Sequence, residues 1–181
     1  MEVVVPGFGA LMPSPNFNAN PPLCSKSADA HGRVMHVSSF SKCLAPGYRI
    51  GWVAAGRYAE QVQRQKLSTS IATTVPVQIA LAEYLKQGGF DKHLRALRRS
   101  LASQEAALVE AVEAHFPDGT RLARPRGGYF LWLELPRIVD VLRLHREALE
   151  LGISIAPGPI FSAKREFGHC LRLNFGHPRS E

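Results

Sequence analysis

The feature that most constrains this chain is the run from Val37 to Trp52, where a single lysine, Lys42, stands between small hydroxyl residues and a Pro-Gly pair. Apolar segments flank it at 34–37 and 50–55, so the pattern predicts a strand, a tight loop and a second strand. The Pro-Gly pair favours a turn, because proline fixes φ and glycine tolerates positive φ. Such a turn would bring Arg49 back toward Lys42.

The residue types in this loop suit covalent chemistry with an aldehyde that carries a phosphate. A lysine amine has an ordinary pKa of about 10.4, and burial or nearby positive charge favours the neutral form that makes a Schiff base. Arg49 would supply charge, and its guanidinium also matches a phosphate, with Ser39 and Ser41 as further donors. Pyridoxal phosphate (PLP) is such an aldehyde. A lysine in a polar loop is more often simply solvated, so both interpretations stand at this point.

The whole run, Ser-Phe-Ser-Lys-x-Leu-Ala-Pro-Gly-x-Arg-Ile-Gly-Trp, resembles the PLP-lysine segment of fold type I aminotransferases. It is similar above all to the aminotransferase-like domain of the MocR subfamily of GntR transcription regulators. Those regulators join an N-terminal winged-helix DNA-binding domain to a C-terminal aminotransferase-like domain. The resemblance implies that Lys42 bonds the cofactor aldehyde and that Ser39 and Arg49 bind its phosphate. Ser41 is adjacent and is a weaker candidate ligand.

A second arginine, Arg172, lies in the last predicted strand between two leucines. Because side chains alternate along a strand, its side chain points opposite to theirs. It could be a charge on an exposed face, or it could clamp a carboxylate with its bidentate fork. The resemblance implies the second role, binding of the substrate α-carboxylate. The segments 127–130 and 157–161 match family segments that border the active site.

The N-terminal segment departs from the resemblance. Residues 1–30 are rich in Pro, Gly and Asn and have loop composition, apart from a possible short strand at 3–5. The resemblance places an Asp-x-Tyr-like element roughly 30 to 35 residues before the lysine, where its aspartate would hold the protonated pyridine nitrogen. The acids before the lysine are Glu2 and Asp29, and Asp29 is too near the lysine in sequence for that role.

We therefore expect the family aspartate to be missing. On this interpretation residues 1–28 are scrambled relative to the family, as a shifted reading frame would produce. The similarity would then run from about Gly32 to His177.

Hydrophobic periodicity predicts the remaining elements. Strands are expected at 34–37, 49–55, 120–123, 129–135, 152–156 and 170–175, and helices at 57–67, 76–87, 91–116 and 139–151. The segment 78–89 could be mistaken for half of a helix-turn-helix, but Ile79, Ala82 and Leu85 favour a buried face. The long helix carries an apolar stripe formed by Leu94, Leu97, Leu101, Leu108, Val112 and Phe116.

Composition limits the partners. Lys plus Arg is 22 and Asp plus Glu is 15, so the net charge of +7 permits acidic partners without showing nucleic-acid binding. A basic cluster at helical spacing favours a solvated helix face over a DNA contact: Lys92, Arg95, Arg98 and Arg99. Cys24, Cys43 and Cys170 form no CxxC pair, which favours a reducing cytoplasm. The histidines show no metal-ligand spacing, and no apolar run approaches the ~20 residues of a membrane span.

The resemblance implies an α/β fold, the C-terminal part of a fold type I PLP-dependent transferase. The expected parts are an irregular segment 1–30, a remnant of the large-domain sheet with the PLP lysine at 31–90, a long connecting helix at 91–117 and a small α+β domain at 118–181. A parallel sheet normally needs helices on both faces. With only two or three large-domain strands left, we expect exposed apolar surface that promotes association.

Three functions remain open from the sequence. The first is a PLP-binding, aminotransferase-like domain of a GntR/MocR regulator, truncated and lacking the DNA-binding domain. The second is a free-standing class I/II aminotransferase, and the third is a non-catalytic remnant of such a protein. The resemblance implies an amino acid or amine ligand, a homodimer, and contact with DNA only through a domain absent from this chain. It does not imply a membrane partner.

Overall fold

A computed structural model of the chain describes residues 25–125 and 127–176. Contacts between residues divide the chain into two compact units, which meet in sequence between Arg98 and Arg99. The strand expected at 3–5 and most of the irregular segment at 1–30 lie outside the described residues. The division falls inside the longest helix, so both units contain part of it.

The first unit contains the strand, loop and strand that the lysine run predicts. Strand β1 (His36–Ser39) pairs antiparallel with β2 (Gly51–Ala54), and Ser39 lies opposite Gly51. The first strand begins two residues later than the apolar segment 34–37, because the N–H of Val34 donates to the carboxylate of Asp29. The N–H of Val34 is therefore bonded to a loop residue and does not join the β-ladder.

Helices α1 (Ala59–Ser70) and α2 (Val75–Lys86) follow, and α3 (Gly89–His115) comes next. Proline lies in the first turn of α2, where its missing N–H removes no helical hydrogen bond. The expected buried face of this helix is wrong: Ile79 is 65% exposed and Leu85 is 40% exposed, while Leu81 is the buried residue. Periodicity in the sequence predicts an apolar stripe, but it does not show whether another element packs on that stripe.

The second unit is built on a four-stranded antiparallel sheet. Strands β3 (Arg121–Ala123) and β4 (Phe130–Glu134) precede helix α4 (Val141–Glu150), and β5 (Ala156–Pro157) and β6 (Cys170–Asn174) follow it. The strand order is β3-β4-β6-β5. One face of β4 forms the core, and the fully buried side chains are Leu131, Leu133, Leu171 and Val141. β4 confirms the strand expected at 129–135, and burial alternates along it as in a pleated strand.

The strand expected at 152–156 is wrong for most of its length. Gly152 has a φ of +77°, and its N–H donates to the carbonyl of Leu149 at 2.9 Å. The N–H of Ile153 reaches back to the carbonyl of Ala148 at 2.8 Å. These bonds form a Schellman-type end to α4, so the segment closes the helix before the short β5 begins.

The apolar stripe of α3 is confirmed in part. Leu101 and Val112 are buried, and the other four predicted members are half-buried. Glu105 is also buried on this helix, and burial raises the pKa of its carboxyl while the charge of Arg124 opposes that rise. The basic cluster on the same helix is largely exposed to solvent. Lys92, Arg95 and Arg99 are exposed, and Arg98 is half-buried.

The described residues contain neither a membrane-spanning helix nor a group of metal-ligating side chains. None of the helices in 25–125 and 127–176 is long and apolar enough to cross a membrane. Within the same residues, no group of three or more His, Cys, Asp or Glu side chains is placed to hold a metal ion.

Candidate functional site

The lysine loop is a short turn closed at its base by backbone hydrogen bonds. The N–H of Phe40 donates to the carbonyl of Ile50 at 3.0 Å, which extends the β1–β2 pairing into the loop. The N–H groups of Leu44 and Ala45 both donate to the carbonyl of Phe40, at 2.9 and 3.1 Å. Lys42 is exposed and lies inside this turn. The loop therefore presents its amine from a defined backbone frame.

The beginning of α3 anchors the loop from the other side. The ring of Phe40 meets the ring of Phe90 edge-on, with 5.8 Å between centroids. The Nε2 atom of His93 lies 2.9 Å from the carbonyl oxygen of Cys43. Cys43 itself is 3% exposed, and burial raises the pKa of its thiol. That shift favours the neutral thiol, so Cys43 anchors the loop beside the lysine without offering a thiolate nucleophile.

Arg49 adopts a backbone conformation that is unusual for its residue type. Its φ is 52° and its ψ is 34°, the left-handed region, and its N–H donates to the carbonyl of Pro46 at 3.4 Å. For a residue with a Cβ this conformation costs roughly 1–2 kcal/mol. Strain of this kind concentrates at functional sites, where the side chain requires a particular position. The side chain of Arg49 is exposed, on the same hairpin as Lys42.

The structure thus brings four of the predicted site residues onto one hairpin: Ser39, Ser41, Lys42 and Arg49. The two serines are half-buried. An amine, a guanidinium and two hydroxyls are donors that fit an aldehyde bearing a phosphate. The donor set of this loop therefore fits PLP.

The carboxylate of Asp29 binds backbone N–H groups and a lysine close to it in sequence. Its carboxylate accepts from the N–H of Val34 at 2.9 Å and of Arg33 at 2.9 Å, and it also binds the ammonium of Lys26 at 3.1 Å. The bond from Val34, opposed by the cost of burial and supported by Arg33 and Lys26, holds the pKa of Asp29 well below its usual range. This carboxylate fixes the chain segment that leads into β1.

Arg172 lies in the second unit, on the sheet face opposite to the leucine core. It is directly opposite Trp132 on β4 and Ala156 on β5. Its guanidinium carbon lies 4.0 Å from the ring centroid of Phe130 and 4.5 Å from that of Phe161. Among the described residues no acceptor reaches its buried Nε atom. Arg172 is therefore a half-buried cation among aromatic rings and is distinct from a solvated surface charge.

The aromatic neighbours of Arg172 were missed by sequence reasoning. Trp132 contacts Phe161 and Phe167 edge-on, with centroid distances of 5.7 and 5.6 Å. The alternation of β4 was the available signal, because Phe130 and Trp132 share the face that Arg172 occupies across the ladder. Phe161 belongs to the loop after β5, and no local pattern links that loop to the strand.

The predicted site residues are thus divided between the units. The lysine loop with its serines and Arg49 belongs to the first unit, and Arg172 with its aromatic neighbours belongs to the second.

Comparison with known families covers almost the whole chain. The family model described as aminotransferase class I and II matches residues 8–181. This corrects the expected beginning of the similarity near Gly32, since most of the segment thought to be scrambled lies within the match. Short motifs drew attention to the lysine loop, whereas a model of the whole family weighs weak similarity over many positions.

Individual relatives include both regulators and enzymes. The chain is 44% identical over 158 residues to the uncharacterized HTH-type transcriptional regulator YdcR of Escherichia coli K12, covering 87% of this chain and 34% of that protein. It is 34% identical to aromatic-amino-acid aminotransferase 1 of Thermococcus litoralis, covering 86% of this chain and 38% of the enzyme. The chain therefore spans about a third of the length of these relatives.

A solved structure supports the same fold. The Pyrococcus horikoshii kynurenine aminotransferase, crystallised with PMP, has a TM-score of 0.80 and 34% sequence identity with this chain. The match covers 93% of this chain and 41% of the enzyme. The partial α/β architecture described above is thus that of a fragment of a fold type I aminotransferase.

Proposed function

The chain belongs to the aminotransferase class I and II family, and from that premise we propose that it is the PLP-binding, aminotransferase-like part of a GntR/MocR-type transcription regulator. The observation that carries the proposal is the 44% identity with an HTH-type regulator over 87% of this chain. The proposal makes an amino acid or amine the ligand and the cytoplasm the compartment. A homodimer would be the assembly, and DNA contact would belong to a winged helix outside the matched region.

Within this proposal each residue of the lysine loop has one task. The amine of Lys42 would hold PLP at its aldehyde carbon, whose oxygen would leave as water, and Arg49 would hold the phosphate with its guanidinium. Ser39 donates its hydroxyl to the same phosphate, and Ser41 adds a second donor. PLP when bound supplies a ring that accepts electrons from a bond of the ligand.

Arg172 binds the carboxylate of the ligand in this proposal. Its half-buried guanidinium with a buried, unpaired Nε among the described residues supports that role. The carboxylate would accept two N–H bonds in the plane of the guanidinium, which fixes the orientation of the ligand.

These residues support binding of a ligand, as a sensor requires, better than they support rapid catalytic turnover. The ring nitrogen of PLP needs an acid to stay protonated, and the carboxylate of Asp29 is already bonded to Val34, Arg33 and Lys26. Binding at Lys42 and Arg172 does not depend on that acid. We therefore expect PLP and an amino acid to bind while amino-group transfer is very slow.

The test is a PLP titration of the purified chain. Lysine-bound PLP absorbs at about 420 nm, and reduction with borohydride fixes the bond for peptide mapping. We expect the band and a modified Lys42, with both lost in Lys42→Ala. Lys66→Ala, which removes an exposed lysine of α1, is the matched control and should keep the band. A wild-type chain without the band would contradict PLP binding and favour the non-catalytic remnant.

A free-standing aminotransferase is the second candidate, favoured by the 34% identity with the Thermococcus litoralis enzyme. The two candidates differ in turnover and in DNA binding. A regulator gives stoichiometric spectral change with amino acids and, as the full gene product, binds operator DNA. Multiple turnovers with an amino acid and a 2-oxo acid, by a gene product without a winged helix, would establish the enzyme instead.

A further inference from the structure

We propose that Phe130 and Phe161 are positioning residues that hold the guanidinium plane of Arg172, so that its N–H edge faces the ligand carboxylate. The inference rests on the role of Arg172 in the proposed function. It concerns two aromatic residues that make no hydrogen bond to the ligand and act through the arginine.

The first support is the distance between the cation and the rings. The guanidinium carbon lies 4.0 Å from the centroid of Phe130 and 4.5 Å from that of Phe161, both within the range of cation–π attraction. A guanidinium stacks on an aromatic ring through its flat face, and its N–H donors lie in the plane. Stacking therefore removes rotational freedom from Arg172 and does not use the in-plane N–H groups.

The second support is the contrast with other arginines of the same unit. Arg121 and Arg143 have side chains that are 81% and 73% exposed, and each pairs with a glutamate. Arg172 is half-buried and forms no ion pair with any acid in the described part of the chain. Its Nε is buried without an acceptor there. An arginine that serves only the fold would normally have its donors satisfied by the protein or by water.

The third support is the framework that holds the rings. Phe130 is fixed by its place on β4, two residue pairs along the ladder from Arg172 and on the same face of the sheet. Phe161 packs on Trp132, and its loop can approach the sheet because residue 158 is glycine. A Cβ at Gly158 would lie 2.8 Å from the carbonyl oxygen of Cys170. The rings are thus placed by backbone geometry before any ligand arrives, which lowers the entropy lost on binding.

The test uses the full chain labelled with ¹⁵N and sodium acetate as the carboxylate probe. The Nε–Hε signal of Arg172, assigned with Arg172→Lys, is followed as acetate is added. We expect Phe130→Leu and Phe161→Leu each to weaken acetate binding by about 3- to 30-fold, the range of a partly desolvated cation–π contact. Phe161→Tyr keeps a ring and should stay within about twofold of wild type. Phe116→Leu, just after α3 and outside this ring cluster, should leave affinity unchanged.

The outcomes separate the two levels of the argument. If acetate binding depends on Arg172 but is unaffected by both leucine variants, the positioning role is wrong and the carboxylate clamp stands. If Arg172→Lys shows the same acetate-dependent shifts of the backbone amides of β4 and β6 as wild type, or wild type does not bind acetate, the clamp is wrong and the inference fails with it. Neither result touches the PLP test at Lys42. Backbone amide spectra report whether each variant keeps the sheet, and loss of affinity in Phe161→Tyr equal to that in Phe161→Leu would also overturn the inference.

Discussion

At the scale of single residues, Arg49 combines an unfavourable backbone conformation with a favourable position for its side chain. Its φ of 52° would suit glycine, yet an arginine stands there. Glycine at this position removes a strain of roughly 1–2 kcal/mol but increases the freedom of the unfolded chain. Ile71, Arg165 and Phe167 also have positive φ, so this conformation alone does not mark a site, and the role of Arg49 is tested by removing its side chain.

We predict that Arg49→Gly separates stability from cofactor binding. The free energy of unfolding should change by less than about 1 kcal/mol, because the two backbone effects oppose each other. PLP affinity should fall by about tenfold or more, since a charged donor to the phosphate is lost. Urea denaturation and the PLP titration measure the two quantities. Arg57→Gly, at an exposed arginine outside the loop, is the control for affinity, and equal PLP binding by Arg49→Gly would contradict the role of Arg49.

Asp29 shows how one carboxylate can determine where a strand begins. Its pKa is held far below the ordinary 3.8, first by the bond from the Val34 N–H. A carboxyl whose pKa is lower in the folded state stabilises the fold fully above its unfolded pKa, and the contribution is lost as the pH falls toward the folded pKa.

We therefore predict that the difference in folding stability between wild type and Asp29→Asn depends on pH. Wild type should be the more stable at pH 7, and the gap should narrow progressively below about pH 4, as the carboxyl becomes protonated in the unfolded chain. Urea midpoints from circular dichroism at several pH values measure it. Asp118→Asn, at an exposed acid in the second unit, should show no such gap. A gap for Asp29→Asn that stays constant with pH would mean that its charge is not the stabilising factor.

At the scale of elements, the turn after β5 depends on the absence of a side chain at Gly158. A Cβ there would meet the carbonyl oxygen and the Cβ of Phe167 as well as the carbonyl of Cys170. Two of these neighbours are backbone atoms, which cannot rotate away. The loop that carries Phe161 must move if this position gains a methyl group.

We predict that Gly158→Ala destabilises the fold by about 1–3 kcal/mol through this overpacking. It should also weaken acetate binding at Arg172, because Phe161 is displaced with the loop. Gly168→Ala offers a matched control, since nothing lies within 4 Å of a Cβ there. Thermal unfolding and the acetate titration measure both effects. Equal stability of the two alanine variants would show that the turn accommodates a side chain.

Local sequence patterns were sufficient for the type and order of most elements. The apolar run at 129–135 and the apolar stripe of the long helix depend on neighbours in sequence, so both could be predicted. The strand expected at 152–156 failed because the Schellman-type end of α4 took the N–H groups of Gly152 and Ile153. Apolar content alone does not show which carbonyl a backbone donor will reach.

The candidate site was predictable to the extent that it lies in continuous motifs. The lysine loop is one run of sequence, so its residues could be assigned together and the structure places them on one hairpin. The cluster around Arg172 draws Phe130 from β4 and Phe161 from a loop, far apart in sequence. Such a cluster follows from strand pairing, which no single segment encodes.

At the scale of the whole molecule, apolar side chains are left uncovered along the helices of the first unit. Five large apolar residues are exposed there, with Ile71 at 75%: Leu67, Ile71, Val75, Ile79 and Leu85. This confirms the expectation of exposed apolar surface. The chain spans about a third of the length of the relatives named above.

We predict that this surface makes the chain associate at micromolar concentrations. Burial of a large aliphatic side chain contributes about 1.5–3 kcal/mol, so a few exposed residues are enough to drive self-association. Sedimentation at increasing concentration should show species larger than one 181-residue chain. The double variant Ile71→Glu and Ile79→Glu should weaken this association by about tenfold or more, because it places charges where apolar contact forms.

The control for this prediction is Ile138→Glu in the second unit. Ile138 is 93% exposed, but it lies in the turn between β4 and α4 and does not belong to the uncovered helices. If apolar exposure in general drives association, all three substitutions act alike. If the surface of α1 and α2 drives it, Ile138→Glu leaves the sedimentation profile unchanged. A wild-type chain that remains a single copy throughout the concentration range would show that these helices tolerate water, and the expectation of association would then be wrong.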